Sequence, residues 1–395
     1  MSSTREKLWT KDFIVMSVIN FIIMVIFYLL MVTMASYAVK EFHASASQAG
    51  LVTGIYIVGA LIGRIITGRM INTVGTKKIL MIGLTLFALT MSLYFISAGI
   101  TVLLISRLVN GFAVGIASTA TSTVVAQILP ISRKGEGIGY FSMSTTLGTA
   151  IGPFFGLLLS QHTTYVVIFM LCMLLAVLAL VIGVFTKIPK NEANQIHEKR
   201  GFHISQFIDG KALPIAIMML LFALGYASLI SFLNFFAEER DLVSASSLFF
   251  FVYAVAILLS RPFTGRLMDI KGANYIVYPC AALFGIGLML LSISHSTFLL
   301  LLSGAIIGVG YGNISSALQT LAIKVTTPDK MGLATSTYFI GLDIGLGFGP
   351  YFLGYLVPLL GYGNLYVCLG LFMFVLIFCY LFLHGRKDHL LLNHH

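Results

Sequence analysis

Residues 63–78 read GRIITGRMINTVGTKK, and the chain carries a second version of this stretch 197 residues later. That shift sets Arg64 over Arg261, Thr67 over Thr264, Gly68 over Gly265, Arg69 over Arg266 and Gly75 over Gly272. Without a gap it also superposes Gly111 on Gly308, Gly115 on Gly312, Gly135 on Gly332, Gly148 on Gly345, Gly152 on Gly349 and Pro153 on Pro350. One 197-residue unit has been used two times. Copies that run in the same direction over apolar segments each hold an even number of spans, related by an axis along the membrane normal.

Composition points the same way. Of the 395 residues 58% are hydrophobic and only 10% are charged, far more apolar surface than a soluble core of this length needs. Apolar runs of about 20 residues, enough to cross a hydrocarbon core of about 30 Å, recur throughout. Cys172, Cys280, Cys368 and Cys379 all fall inside such runs, which argues against a disulfide framework. The first run, 13–39, outlasts the ~7–15 residue core of a cleavable leader and is expected to stay as a span. Further helices are expected at 48–71, 79–98, 100–128, 136–160, 164–186, 212–236, 246–268, 274–294, 297–325, 332–359 and 363–383. The fold class expected is therefore an all-α integral membrane protein of twelve transmembrane helices. Residues 1–186 form the first six-helix bundle, 187–211 a linker, and 212–395 the second bundle with a short tail.

The N-terminus and the even-numbered loops are rich in Lys and Arg, whereas the odd-numbered loops hold only Lys40 and Arg240. Excess Lys and Arg marks the cytoplasmic side, so both termini and the linker are expected there, in a multi-pass protein of the inner (cytoplasmic) membrane. Topogenic loops also account for the net charge of +10; nucleic-acid binding would gather that charge on one face. The linker is read as a passive connection between two bundles that move independently. No His, Cys, Asp and Glu set has metal-ligand spacing, so no metal and no cofactor are expected.

Several motifs resemble those of the major facilitator superfamily, across nearly the whole chain. The run from Gly68 and Arg69 through Asn72 and Gly75 to Lys77 and Lys78 is similar to the family's loop 2–3 signature, Gly-x-x-x-Asp-Arg/Lys-x-Gly-Arg/Lys-Arg/Lys. Asn72 stands where the family has Asp, and Thr73 where it has a cation; the second copy, with Arg266 and Asp269, keeps the acid. The resemblance implies a cytoplasmic latch in which the acid caps a helix and the cations pair across the halves. An amide can cap a helix but forfeits a charge–dipole contribution of about 0.3–1 kcal/mol. Arg107, Asn110 and Gly111 resemble the second signature. Gly148, Gly152, Pro153 and Gly156 resemble a third, which within the family accompanies exporters that exchange substrate for protons. Glycines every fourth residue flatten a helix face so that another backbone packs closely, and proline bends the helix. Gly345, Gly349 and Pro350 repeat the pattern. These faces are read either as gating seams or as ordinary tight packing.

Among fourteen carboxylates, Asp343 alone falls deep within an expected span. Eleven residues into its helix, at about 1.5 Å per residue, it lies near the bilayer midplane. An acid there is costly and is a functional-site candidate by default, as a proton or cationic-substrate site or as a fixed partner in packing. Arg107 is the deep cation and keeps its proton; it holds an anionic group, tunes an acid through its field, or snorkels outward. The family's cavity is lined by spans 1, 4, 7 and 10, so the resemblance implies a lining drawn from Asn20, Tyr28, Asn110, Tyr140, Tyr226, Asn234, Asn313 and Gln319, some of which serve instead as glue between helices.

The expected activity is proton-coupled export of small lipophilic or amphipathic molecules by alternating access, with substrate, protons and the lipid bilayer as partners and the chain as a monomer. An exporter of a defined polar metabolite (a sugar, amino-acid derivative or metallophore) is the alternative reading. A non-transporting receptor or scaffold is a distant one, calling for an appended soluble domain. No nucleophile–base pair or phosphate-cradling loop suggests an enzyme.

Overall fold

Hydrocarbon offers no water to an open backbone, so a crossing segment pairs its N–H and C=O groups within itself and folds as a helix. The computed structural model of the chain has this character throughout the residues it describes, 7–130, 134–186, 208–326 and 331–385. In chain order the helices are α1 Lys11–Phe42, α2 Ala46–Val74, α3 Thr76–Met91, α4 Ile100–Ile128, α5 Lys134–His162, α6 Tyr165–Val184, α7 Leu213–Glu239, α8 Val243–Lys271, α9 Asn274–Ser292, α10 Thr297–Lys324 and α11 Met331–Leu383. A 3₁₀ turn, Ser92–Phe95, prolongs α3. All eleven, among the described residues, are long and apolar enough to cross a membrane.

The last element, α11, spans 53 residues and is made of two helices joined across a kink, where Gly361 takes φ 73° and ψ 164°. A straight helix of that length would run about 80 Å, more than twice the hydrocarbon thickness. Glycine enters the left-handed region without a Cβ penalty, so the chain turns there and the apolar stretch divides. Gly75 and Gly272, with φ 95° and 91°, separate α2 from α3 and α8 from α9 in the same way.

Packing groups the chain into two units. One comprises Met1–Thr33 with Ile55–Lys199, the other Met34–Gly54 with Arg200–His395. The last turns of α1 and the first turns of α2 thus belong with α7–α11. Inside each unit helices meet backbone to backbone, as small residues permit. In the first unit a Cβ on Gly111 would lie 1.9 Å from the Tyr56 carbonyl oxygen, and one on Gly115 2.1 Å from that of Ala60. In the second unit a Cβ on Gly308 would lie 2.5 Å from the Tyr253 carbonyl oxygen, and one on Gly341 2.2 Å from that of Ala216.

Candidate functional site

Asp343 stands twelve residues into α11 and is only 4% exposed. Beside it Tyr338, also on α11, donates its hydroxyl to the Ser315 carbonyl oxygen of α10 at 2.8 Å. Tyr338 lies within electrostatic range of both Asp343 and Arg261, which α8 contributes. An acid, a phenol and a guanidinium are therefore gathered by three helices of the second unit. The sequence pointed to Asp343 through its depth and to Arg261 only as the repeat's counterpart of Arg64; Tyr338 and Ser315 carried no signal beyond their place in apolar helices.

Arg107 is fully buried in the first unit. Its guanidinium carbon lies 4.0 Å from the centroid of the Tyr56 ring on α2, and Nη1 donates to the Tyr94 hydroxyl at 3.2 Å. Tyr94 in turn donates to Asn110 Oδ1 at 3.1 Å, and Asn110 Nδ2 to Thr90 Oγ1 at 2.7 Å. Snorkelling does not describe this side chain, because burial is complete and a ring and a hydroxyl hold its head.

The other amides also engage neighbouring helices. Asn20 of α1 donates to Ser144 at 2.8 Å and Thr145 at 3.0 Å, both on α5. Asn313 of α10 accepts from Thr264 at 2.7 Å and donates to Ser260 at 2.8 Å, both on α8. Asn234 of α7 donates to Ser36 of α1 at 3.3 Å and to Glu238 at 3.0 Å. Among the tyrosines, Tyr226 stacks on Tyr311 with ring centroids 4.3 Å apart and on Tyr253 at 5.7 Å. Tyr28 is buried against Phe27. Tyr140 is 39% exposed, with its ring 5.0 Å from Trp9, and Gln319 is half-buried on α10. The structure thus places Asn20, Asn110, Asn234, Asn313 and Tyr226 in separate interhelical clusters within their units.

The glycine faces have specific partners. Gly148, Gly152 and Gly156 of α5, on either side of Pro153, lie on α1 against Met24, Tyr28 with Val25, and Val32 with Leu29. Gly345 and Gly349 of α11 lie on α7 against Leu220 and Leu224. A further close approach had no counterpart in the sequence reading. A Cβ on Gly54 of α2 would fall 1.7 Å from the Gly347 carbonyl oxygen, and one on Gly50 2.2 Å from that of Pro350.

Lys77 departs from the pairing across the halves that the motif implied. Its Nζ donates to the Gly183 carbonyl oxygen at 2.6 Å and to that of Thr186 at 2.7 Å, at the C-terminus of α6. A cation is favoured there because the last carbonyls of a helix are unpaired and carry its negative end. Gly68, Arg69, Asn72, Arg266 and Asp269 lie outside the described side chains. Residues 187–207 of the linker lie outside the described residues as well. Where the chain is described again, Asp209 is buried: Oδ2 accepts from Thr326 at 2.5 Å, Oδ1 from the Lys211 amide at 2.7 Å, and its own amide donates to Thr337 at 2.8 Å. Sequence position alone marked it as an ordinary loop acid. Among the described residues no three His, Cys, Asp or Glu side chains are grouped to hold a metal ion.

Comparison with known proteins gives a family and a fold. The model of the Major Facilitator Superfamily matches residues 16–339 and 243–393. An uncharacterised MFS-type transporter of Methanocaldococcus jannaschii is 26% identical over 363 residues, 87% of this chain and 90% of the relative. Multidrug resistance protein 1 of Bacillus subtilis is 24% identical over 320 residues, 79% of this chain and 81% of the relative. A crystal structure of a POT family transporter in complex with a thioalcohol-conjugated peptide superposes with a TM-score of 0.79 at 16% identity, covering 95% of this chain and 96% of that one.

Proposed function

Because the chain belongs to the Major Facilitator Superfamily, whose members are membrane transporters, we propose that it exports small lipophilic or amphipathic molecules in exchange for protons by alternating access. The observation that carries this reading is the buried carboxyl of Asp343, twelve residues into the apolar α11. A carboxyl in that setting is held only if a partner or a proton neutralises it, and exchange needs a group that loads its proton on one side and releases it on the other. Two further points support the lipophilic substrate. The amides of Asn20, Asn110 and Asn313 are engaged between helices, which leaves apolar and aromatic side chains to meet a substrate, and the Bacillus subtilis relative is named for multidrug resistance.

In this reading the chain has twelve spans, α11 counting as two about Gly361, arranged as two six-helix bundles of one repeat. Helix ends support the repeat: α2 begins at Ala46 and ends at Val74, and α8 begins at Val243 and ends at Lys271, 197 residues on at both ends. Asn274, 197 residues after Lys77, donates to the Gly385 carbonyl oxygen just past the end of α11, much as Lys77 serves α6. The loop charges support a cytoplasmic linker and termini. The glycine faces of α5 and α11 serve as seams against α1 and α7 while the bundles rock, and the protein works as a monomer.

The test uses liposomes that hold a pH dye and an inside-acid gradient, with lipophilic cations, neutral drugs and polar metabolites added in turn. Substrate-evoked proton movement that disappears in Asp343→Asn is the expected result. Proton movement unchanged by the substitution would make Asp343 a packing partner. Absence of proton movement with every lipophilic compound would favour an exporter of a defined polar metabolite.

A further inference from the structure

Just before α1, among charged and polar neighbours, the chain carries an apolar pair, Leu8 and Trp9. Leu8 is 2% exposed and seats the segment on the first unit, whereas Trp9 is 58% exposed. Thr10 fixes the turn into the helix: its amide donates to the Leu8 carbonyl oxygen at 2.9 Å, and its hydroxyl accepts from the Phe13 amide at 3.3 Å. The Trp9 ring is thereby laid against Phe13 of α1 and Tyr140 of α5, with centroids 5.5 Å and 5.0 Å away. Tyr140 is itself exposed, as are Met143 on α5 and Ile14 and Val18, one turn apart on α1. Asn20, Ser144 and Thr145 join the two helices just beyond, so these apolar side chains flank an existing seam. Lys7 and Lys11 stand on either side of Trp9 in the chain and both are exposed. The neighbouring acid, Asp12, lies within electrostatic range of Lys77, so its charge is shared with a cation of α3.

We infer that the first ends of α1 and α5 dock an anionic phospholipid of the inner leaflet. Its phosphate group meets Lys7 and Lys11, its glycerol region meets the exposed faces of Trp9 and Tyr140, and an acyl chain runs beside Ile14, Val18 and Met143. Three properties of the surface select this occupant. Tryptophan and tyrosine favour the boundary between headgroups and hydrocarbon, and here two such rings touch each other across a helix seam. Lysine carries its ammonium on a flexible apolar stem and reaches outward to headgroups from a helix end. Each lysine near an anionic surface is worth about fivefold in affinity, and a headgroup without net charge forgoes that gain. A soluble anion would meet the lysines but leave the apolar strip uncovered, so the surface fits charge and hydrocarbon in one molecule. The choice of leaflet rests on the orientation read above from the loop charges; the docking surface does not.

Trp9 is the chain's single tryptophan, so its fluorescence reports on this surface alone. The detergent-solubilised protein is titrated with dibrominated phosphatidylglycerol and, separately, with dibrominated phosphatidylcholine of the same chains, since bromine quenches tryptophan at contact. Half-quenching is expected at about 25-fold less phosphatidylglycerol than phosphatidylcholine, a factor of about five for each lysine. Lys7→Gln and Lys11→Gln should each narrow that ratio about fivefold, and both together should bring it near one. Lys7→Arg with Lys11→Arg should keep it, which also shows that the altered segment still folds. High salt should narrow the ratio in the parent, because exposed charges are screened. Equal quenching by the two lipids in the parent, or a ratio that survives the double glutamine variant, would overturn the lipid site. Displacement of the brominated phosphatidylglycerol by soluble glycerol phosphate would overturn it too, as the mark of a site for a free anion. Quenching needs neither substrate nor gradient, so that failure is separate from failure of the proton-exchange reading, which the Asp343 experiment decides.

Discussion

The Arg107 guanidinium carbon lies 4.0 Å from the centroid of the Tyr56 ring while Nη1 donates to the Tyr94 hydroxyl. α2, the turn after α3, and α4 therefore converge on one fully buried charge. A planar guanidinium stacks and donates at once; an ammonium is a point charge that must choose. Arg107→Lys should consequently cost about 1–2 kcal/mol, combining a desolvated cation–π contact with a charged hydrogen bond. The loss appears as a lowered midpoint when the detergent-solubilised protein is heated and the surviving monodisperse fraction is followed. Equal midpoints for Arg107→Lys and the parent would show that charge alone, and neither stacking nor the bond to Tyr94, holds this junction.

The α1–α5 contact leads to a second expectation. A Cβ on Gly152 would already stand 2.8 Å from both Tyr28 Cβ and the Val25 carbonyl oxygen, so a leucine forces the helices apart. Overpacking of this kind costs about 1–3 kcal/mol, which a protein of this size tolerates. Gly152→Leu should therefore insert in the membrane and lose transport. Normal transport by a properly inserted variant would remove the α1–α5 face from the set of working seams.

Much of the fold was legible because it is written locally. A run such as 165–184 has few ways to satisfy its backbone in lipid, and Gly75 and Gly272 sit where a left-handed turn ends one helix and begins the next. The candidate site was legible in part. Asp343 announced itself, since one carboxyl within a long apolar run is costly wherever the helix turns. Partners did not: Lys77 reaches a carbonyl 106 residues away, and Asp209 binds threonines 117 and 128 residues away. Helical spacing says which residues share a face but not which neighbour that face meets, so the Gly54–Gly347 approach and the Trp9–Tyr140 contact emerge only from packing.

Lys77 invites a test of what the loop 2–3 motif does in this chain. Its ammonium holds carbonyls at the C-terminus of α6 within one unit, an arrangement that stabilises by about 1 kcal/mol through charged hydrogen bonds and the helix dipole. Lys77→Ala should lower the thermal midpoint, and Lys77→Arg should restore most of the loss because either cation serves a helix C-terminus. Asn274→Ala, at the corresponding place in the second unit, should lower it less, since a neutral amide gives Gly385 a hydrogen bond without the charge. A variant Lys77→Ala that melts like the parent would assign the residue to the cytoplasmic latch implied by the motif.

The amides separate two roles most sharply at Asn313. Its oxygen accepts from Thr264 and its nitrogen donates to Ser260 and to the Val309 carbonyl oxygen, so little hydrogen-bonding capacity remains for a substrate. Replacing it with leucine strips a buried network and leaves Thr264 and Ser260 without their bonds to the amide, at a cost of about 1–3 kcal/mol. Asn313→Leu is thus expected to melt earlier while ranking a panel of transported compounds in the same order as the parent. Asn20→Leu should behave alike, because Ser144 and Thr145 use its amide in the same manner. A reordered panel with unchanged stability would place these side chains in the substrate path, and the lining would then be more polar than the packing of α8, α10, α1 and α5 indicates.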